Sequence, residues 1–199
     1  MASLQILIKE ASHYSVKALE VYNSIGQVEF EKALNQSLIN VLVVRLGYKI
    51  DKFFLQNYPN LQYILSPTTG LDHIDIKHCN KEGIRVLSLN DIKKDIENVS
   101  STAELSLGLI VSLIRKIPQA SNSVLFDRKW DRDTFRTRQL SNMSIGIIGV
   151  GRIGTMVAKY SNAMGMKVFG FDTEKGKKHF DDNNIQQLDL KDLLACADI

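Results

Sequence analysis

Three glycines stand close together in the stretch Gly149-Val-Gly151-Arg-Ile-Gly154. A short apolar run precedes them, and apolar residues at helical spacing follow them. Binding of a pyrophosphate needs this spacing, because the first glycine permits a tight turn, the second lets the phosphates approach the backbone, and the third lets helix and strand pack closely. The N–H groups at the start of the helix would donate to the phosphates. The spacing therefore predicts a dinucleotide-binding turn.

An acidic residue, Asp172, ends the next predicted strand, 18 residues after Gly154. A carboxylate at this place accepts hydrogen bonds from ribose hydroxyls and repels a 2′-phosphate, and no arginine follows it directly. We therefore expect NAD rather than NADP as the cofactor, although Lys175 is a basic side chain nearby. Glycine triplets also occur in ordinary loops, but the strand before, the helix after and the acid beyond favour the nucleotide.

The two cysteines, Cys79 and Cys196, lie far apart and have no CxxC spacing. We expect neither a disulfide framework nor a metal site, and a reducing compartment fits this cysteine usage. The sequence has no secretory signal and no apolar run long enough to cross a bilayer. These features predict a cytoplasmic protein without a membrane partner.

A net charge of +3 is too small to indicate a nucleic-acid partner. Basic residues surround Trp130, but Asp127, Asp131 and Asp133 alternate with them. This segment is more typical of a solvated or subunit-facing arm than of a nucleic-acid surface.

Strand-like apolar runs alternate with helical stretches along the chain, which predicts an α/β fold with parallel sheets covered by helices on both faces. The helical stretches include Val16–Asn23, Ile50–Asn57 and Ile74–Glu82, the last followed by Gly83 at a predicted helix C-terminus. The predicted strands are Leu4–Ile8, Gly26–Phe30, Val41–Arg45, Tyr63–Leu65, Ile84–Leu87, Ile145–Ile148 and Val168–Phe171.

One helical stretch, from Ser100 to about Leu125, is much longer than the others. Ser101 and Glu104 predict a capping box at its start, and Pro118 predicts a kink or an end within it. A long helix between two βα regions is a natural domain connector. We therefore predict a boundary near residue 95, with one domain at residues 1–95 and a second at 96–199.

Four stretches resemble the D-isomer-specific 2-hydroxyacid dehydrogenase family, which includes D-3-phosphoglycerate dehydrogenase, and they occur in the family's order. Together they span most of the chain, so their combination is far more specific than any one of them. They are VVRLGYKI at residues 43–50, TGLDHIDI at 69–76, NVSSTAEL at 98–105, and WDRDTF at 130–135 followed by GIIGVGRIGTMVA and VFGFD.

The resemblance implies two doubly wound parallel-sheet domains, a flavodoxin-like substrate domain and a Rossmann domain that is incomplete in this chain. It implies an NAD-dependent oxidoreductase that transfers hydride between NAD and the CH–OH group of a D-2-hydroxy acid. The small 2-hydroxy or 2-oxo acid would be the substrate, and a homodimer the expected assembly. The long helix from Ser100 and the Trp130 arm, which comprises residues 127–140, would form the dimer surface.

The resemblance also implies roles for residues outside the three glycines. Arg45 would help to hold the substrate acid, and Thr69 and Gly70 would offer backbone donors to the substrate carboxylate. Thr102 would pack near the nicotinamide. Arg152 and Ile153 would lie on the phosphate turn together with Gly149, Gly151 and Gly154.

Each of these substrate-loop assignments has a simpler alternative. Arg45 could be a surface arginine at a strand end, and Thr69–Gly70 an ordinary turn in which Gly70 has a positive φ. Asp72 and Asp75 are better interpreted as caps of the following helix than as a catalytic pair. His73 is more typical of a loop or core histidine than of a catalytic base.

The family's catalytic arginine, glutamate and histidine lie nearer the C-terminus than any residue of this chain. We therefore assign no catalytic residue and expect a chain truncated inside the fold. The alternative function is a non-catalytic NAD-binding and dimerisation module. The DNA sequence downstream of the codon for Ile199 separates the two functions, because an open reading frame that encodes those residues favours the enzyme.

Ser66 stands where the resemblance implies an arginine that binds a phosphate, which argues mildly against 3-phosphoglycerate as the substrate.

Overall fold

The computed structural model describes residues 3–173, 180 and 183–199. Lys175, the basic side chain that bears on cofactor choice, lies outside the described residues. The chain divides into two compact units, residues 1–96 and 97–199.

The first unit is built on a five-stranded, wholly parallel sheet. Its strands lie in the order β2-β1-β3-β4-β5, so the direction in which strands are added reverses between β1 and β3. The predicted parallel α/β architecture is thus confirmed. The strands are β1 (Leu4–Ile8), β2 (Gly26–Phe30), β3 (Val41–Val43), β4 (Tyr63–Ser66) and β5 (Arg85–Ser88).

Both faces of this sheet are covered. Leu7 and Leu42 belong to one buried apolar cluster, and Ile6, Ile8 and Val43 belong to another. Because successive side chains of a strand point to opposite faces, strands buried on both sides read as continuous apolar runs. The helices are α1 (Val16–Ile25), α2 (Lys52–Leu55) and α3 (Ile76–Lys81), with 3-10 turns at Ala11–His13, Gln36–Leu38 and Leu89–Ile92.

The start and end of α3 follow the sequence signals. The carboxylate of Asp75 accepts a hydrogen bond from the His78 amide at 2.9 Å, which caps the helix as predicted, whereas Asp72 is not the cap residue. Gly83 follows the helix with φ 71°, a left-handed conformation that glycine adopts without steric cost.

The second unit contains a parallel sheet with the order β6-β7-β8. On its other edge β6 exchanges hydrogen bonds with residues 198 and 199: the Asp198 amide donates to the Ser144 carbonyl, and the Gly146 amide donates to the Ile199 carbonyl. The elements are α4 (Ser101–Ile114), α5 (Ile117–Leu125), a 3-10 turn at Leu140–Asn142, β6 (Ser144–Ile148), α6 (Arg152–Ala163), β7 (Lys167–Phe171), β8 (Gln186–Gln187) and α7 (Leu190–Cys196).

Two details of the long helical stretch differ from the prediction. The residue that precedes α4 is Ser100, and its hydroxyl donates to the Glu104 carboxylate instead of capping a backbone amide, so the predicted Ser101–Glu104 capping box is wrong. The break between α4 and α5 lies at Lys116, which has φ 51°, and Pro118 sits in the first turn of α5. Proline is tolerated there because a first-turn N–H has no partner within the helix.

Within the described ranges, no helix is both long and apolar enough to cross a membrane.

Candidate functional site

The glycine turn joins β6 to α6, and glycine suits each of its three positions for a different steric reason. Gly149 has φ 93°, which side-chain-bearing residues rarely adopt. A Cβ added to Gly154 would lie 2.1 Å from the Gly149 carbonyl oxygen, so the helix approaches the turn too closely for any side chain. A Cβ on Gly151 would meet nothing within 4 Å, which leaves open space beside the backbone.

The first turn of α6 is open to an anion. Its N-cap residue, Gly151, supplies no side-chain oxygen to the N–H groups that begin the helix. Ile153 is half-buried against the core of this unit. The guanidinium of Arg152 donates to the carbonyl of Val99, which ties the start of α6 to the segment that leads into α4. Helix N–H groups left in this state are suited to phosphate oxygens.

Asp172 lies beside the same turn, because β6 and β7 pair in parallel and Ile148 is opposite Phe171. Its Oδ2 atom accepts a hydrogen bond from the Val150 amide at 2.6 Å, and its Oδ1 atom accepts from the Thr173 amide at 2.6 Å. The carboxylate is therefore fixed against the glycine turn. Gly149, Gly151, Arg152, Ile153, Gly154 and Asp172 are all brought together at this end of the sheet.

Thr102 is an exposed residue of the first turn of α4. Its carbonyl accepts from the Ser106 hydroxyl at 2.8 Å, and the adjacent Ala103 is fully buried in the same core as Ile147 and Val150. In the described part of the chain, no hydrogen bond joins Thr102 to the glycine turn.

The loop of Thr69 and Gly70 follows β4 in the first unit and is fixed through its carbonyl groups. The Thr68 carbonyl accepts from the Leu89 amide at 3.2 Å, the Thr69 carbonyl from Asn90 Nδ2 at 2.7 Å, and the Gly70 carbonyl from Thr68 Oγ1 at 2.8 Å. Among the described residues, the amides of Thr69 and Gly70 have no acceptor. This arrangement leaves two backbone donors for an anion.

The backbone conformation of Gly70 contradicts the alternative interpretation in which this glycine has a positive φ. The glycines with positive φ in the described residues are Gly83, Gly149 and Gly165, so Gly70 is not there for a left-handed turn. An added Cβ at Gly70 would meet nothing within 4 Å. The place of this glycine in the loop is therefore not explained by strain or by packing inside its own unit.

Arg45 follows the buried end of β3 and is half-buried. Its amide donates to the Glu10 carboxylate at 2.9 Å. In the residues that the structure covers, Arg45 forms no hydrogen bond to Thr69 or Gly70, although all three follow neighbouring parallel strands.

His73 is a half-buried loop residue. Its Nε2 atom lies 3.3 Å from the hydroxyl of Ser66, and its Nδ1 atom is enclosed with no partner in the described structure. Burial lowers the pKa of His73, and Glu10 and Asp72 oppose that shift. Among the described residues, no three His, Cys, Asp or Glu side chains are grouped so that they could hold a metal ion.

Two polar residues of these loops were not predicted from the sequence: Glu10, which binds the loop after β3, and Asn90, which binds the loop after β4. A signal for Glu10 existed in its position, because it lies two residues after the end of the first strand, at the edge where parallel α/β sheets bind ligands.

Comparison with known proteins gives a consistent result. Residues 107–199 match the family described as D-isomer specific 2-hydroxyacid dehydrogenase, NAD binding domain. A D-3-phosphoglycerate dehydrogenase from Methanocaldococcus jannaschii is 30% identical over 98% of this chain and 37% of the relative. A hydroxypyruvate reductase from Thermotoga maritima is 32% identical over 80% of this chain and 49% of the relative. The chain therefore spans half or less of each relative's length.

Solved structures show the same fold. A D-lactate dehydrogenase from Aquifex aeolicus, crystallised with NAD and lactic acid, superimposes with a TM-score of 0.80 at 24% identity, over 97% of this chain and 58% of that one.

Proposed function

The chain belongs to the D-isomer specific 2-hydroxyacid dehydrogenase family, with residues 107–199 as its NAD-binding domain, and on this premise we propose a function. The protein is an NAD-dependent oxidoreductase that transfers hydride between NAD and the CH–OH group of a D-2-hydroxy acid. This chain contributes a substrate-binding unit and the first half of the NAD-binding unit. The observation that carries the proposal is the Asp172 carboxylate bonded at 2.6 Å to the Val150 amide inside the glycine turn.

In the NAD-binding unit, Gly151 and the first turn of α6 would hold the pyrophosphate, because the space beside Gly151 is open and the N–H groups of that turn can donate to phosphate oxygens. Arg152 and Ile153 belong to that turn. Asp172 accepts hydrogen bonds from the adenosine ribose hydroxyls and disfavours a 2′-phosphate. Thr102, in the first turn of α4, would pack near the nicotinamide. Bound NAD supplies the hydride acceptor, and the protein residues bind and orient it.

In the substrate-binding unit, the carboxylate of the 2-hydroxy acid accepts hydrogen bonds from the amides of Thr69 and Gly70. The support is that these amides lack an acceptor among the described residues, while the carbonyl groups of the same loop are all held. Arg45 adds a positive charge for the same carboxylate. No residue of this chain is assigned as the acid/base or as the cation that polarises the carbonyl.

The substrate is a 2-hydroxy acid without a phosphate at the Ser66 side of the loop. Ser66 is 2% exposed, and its hydroxyl lies 2.9 Å from Thr68 Oγ1 and 3.3 Å from His73 Nε2. A small neutral group already engaged within the loop offers no charge to a phosphate. This favours a smaller or differently charged acid than the 3-phosphoglycerate named for several relatives.

The full protein is a homodimer formed through α4 and the Trp130 arm. Leu105, Leu109 and Leu113 of α4 are 64%, 61% and 68% exposed, and Trp130 is 86% exposed. Leucines at this spacing form one stripe along the helix, and a contiguous exposed apolar stripe is typical of an interface.

Calorimetric titration with NAD tests the cofactor assignment. Gly151→Val places side-chain atoms in the space assigned to the pyrophosphate, and we expect NAD affinity to fall at least roughly tenfold, or about 1.4 kcal/mol. Gly70→Val is the matched control, because its new side chain also meets open space but in the other unit. Unchanged NAD affinity in Gly151→Val would refute the assignment.

A further inference from the structure

The carboxylate of Glu10 binds the loop that follows β3. Its Oε2 atom accepts a hydrogen bond from the Arg45 amide at 2.9 Å, and its Oε1 atom accepts from the Gly47 amide at 3.1 Å. We propose that Glu10 is a positioning residue, which holds this loop in place so that the Arg45 guanidinium can bind the carboxylate of the substrate. The substrate half of this inference rests on the proposed function.

The fit between Glu10 and the loop is close. A Cβ added to Gly47 would lie 2.8 Å from Glu10 Oε1, so any larger residue at position 47 would displace the carboxylate. Hydrogen bonds from two amides to one ionised carboxylate are charge-assisted and fix its orientation as well as its distance.

The backbone on either side of Glu10 is also constrained. Glu10 itself has φ 57° and ψ 40°, a left-handed conformation that a residue with a side chain adopts at a cost of about 1 kcal/mol. The preceding residue, Lys9, is 8% exposed, its amide donates to the Val43 carbonyl at 2.9 Å, and its Nζ donates to the Glu31 carbonyl. The left-handed turn directs the Glu10 carboxylate towards the neighbouring loop, and the two amides there stabilise it.

The location gives this contact a consequence for ligand binding. Strand order reverses between β1 and β3, and in parallel α/β sheets ligands bind outside the carboxyl ends of the strands at such a point. Glu10 occupies the two backbone donors at that point, so they are not offered to a substrate anion. The Arg45 guanidinium, in contrast, donates no hydrogen bond within the described residues.

The loop after β3 therefore offers two kinds of anion contact, one through its backbone amides and one through the Arg45 side chain. The amides of Arg45 and Gly47 hold the protein's own carboxylate, and the Arg45 side chain remains for a carboxylate from outside. Loss of the Glu10 carboxylate should therefore release the loop and create a vacant site for a small external carboxylate.

Amide NMR spectra of the 199-residue protein test the proposal, with formate and pyruvate as the probes. In Glu10→Ala we expect large shifts of the Arg45 and Gly47 amide signals, and formate should return both towards their original positions. Glu10→Gln serves as a second variant if Glu10→Ala is poorly folded, because its amide group accepts from only one of the two N–H groups. Glu20→Ala, on exposed α1, is the control that should change neither signal.

Because the Arg45 loop is released in Glu10→Ala, pyruvate added with NAD present should bind at the Arg45 side chain roughly tenfold more weakly than in the unaltered protein, apart from any pyruvate that fills the vacated carboxylate site. The inference is overturned if the Arg45 and Gly47 signals do not move in either variant, or if formate fails to restore them. If formate restores both signals but pyruvate does not bind the unaltered protein, the contact between Glu10 and the loop stands and the proposed substrate class fails.

Discussion

The Oδ2 atom of Asp172 lies 2.6 Å from the amide nitrogen of Val150, inside the glycine turn. The acid is therefore part of the turn as well as a candidate acceptor for a ribose. A carboxylate oxygen has more than one acceptor position, so the hydrogen bond to Val150 leaves room for a ribose hydroxyl. Substitutions at Asp172 should affect both the turn and the cofactor preference.

We predict that Asp172→Ala weakens NAD binding by roughly tenfold to a hundredfold, because it removes hydrogen bonds to a charged group. Discrimination against NADP should relax in the same variant. Asp172→Asn is the control for the turn, since its side-chain oxygen can still accept from the Val150 amide while the negative charge is gone. Dissociation constants for both cofactors check this, and unchanged selectivity in both variants would contradict it.

Substitution of Gly154 and of Gly151 in the glycine turn should lower the free energy of unfolding by different amounts. Gly154→Ala should lower the free energy of unfolding by about 1–3 kcal/mol, because the new methyl group would lie 2.1 Å from the Gly149 carbonyl oxygen. Gly151→Ala should cost about 1 kcal/mol or less, since its methyl group meets open space. Urea unfolding of the two variants measures the difference, and equal losses would show that the close approach at Gly154 is relieved by backbone movement.

Asp198 predicts a specific pH dependence of stability. Hydrogen bonds from the Ser144 amide, from Arg138 and from the Ser144 hydroxyl lower the pKa of Asp198 from 3.8 to about 2. Because the folded pKa is the lower one, the stabilisation is complete above the unfolded pKa and is lost as the pH falls towards about 2.

Asp198→Asn should therefore lower the melting temperature near neutral pH, and its deficit relative to the unaltered protein should shrink below about pH 4. Asp127→Asn, in an exposed segment, is the control and should show little deficit at any pH. A deficit that is constant from neutral to acidic pH would mean that the carboxylate charge is not the cause.

The exposed stripe on α4 predicts a dimer. Leu109→Glu should convert the full protein to a monomer, because a buried unpaired carboxylate at an interface is strongly unfavourable. Leu34→Glu makes the same chemical change at a leucine that is 98% exposed in the first unit, and should leave the mass unchanged. Light scattering at micromolar concentration gives the answer, and a monomer before any substitution would exclude the dimer.

We predict no measurable 2-hydroxyacid oxidation or 2-oxoacid reduction by the 199-residue chain assayed alone. In the proposed function Arg45, Thr69 and Gly70 only position a carboxylate. Acid/base help is typically worth about 10²–10⁴-fold and electrostatic stabilisation of the oxyanion often more, and neither is assigned to this chain. His73 is half-buried, and its Nε2 atom lies 3.3 Å from the Ser66 hydroxyl. A base must reach the substrate, so this position does not suit His73 for that role. An assay with NADH and a panel of 2-oxo acids tests this. Turnover that is lost in His73→Asn or His78→Asn would place the active site in the first unit.

Most of the fold could be predicted because its signals are local. All seven predicted strands are present, since most of them are apolar runs buried on a parallel sheet. The strand that was missed, Gln186–Gln187, has only two residues, both polar, so it has no apolar pattern to detect. The helix start was placed one residue late because Ser100 and Ser101 are equally good cap residues by type, and the predicted capping box does not form.

The contacts of the candidate site were less predictable because they are not local. Glu10 and Arg45 are 35 residues apart, and no spacing rule connects an acid after one strand to amides after another. The left-handed backbone of Glu10 also has no signature, since glutamate is not a residue that favours it. In contrast, the left-handed Gly149 was predictable, because glycine at that place in the motif has a conformational reason.

The pairing of β6 with residues 198 and 199 has a consequence during synthesis of the chain. Ser144 and Asp198 are 54 residues apart, so one edge of β6 stays open while all the intervening residues are translated. At ordinary ribosome speeds this takes on the order of 3 to 10 seconds. An apolar strand with a free edge is a template for pairing with other chains. The nascent second unit is therefore most exposed to misassembly in that interval, which is when a chaperone would have the most effect.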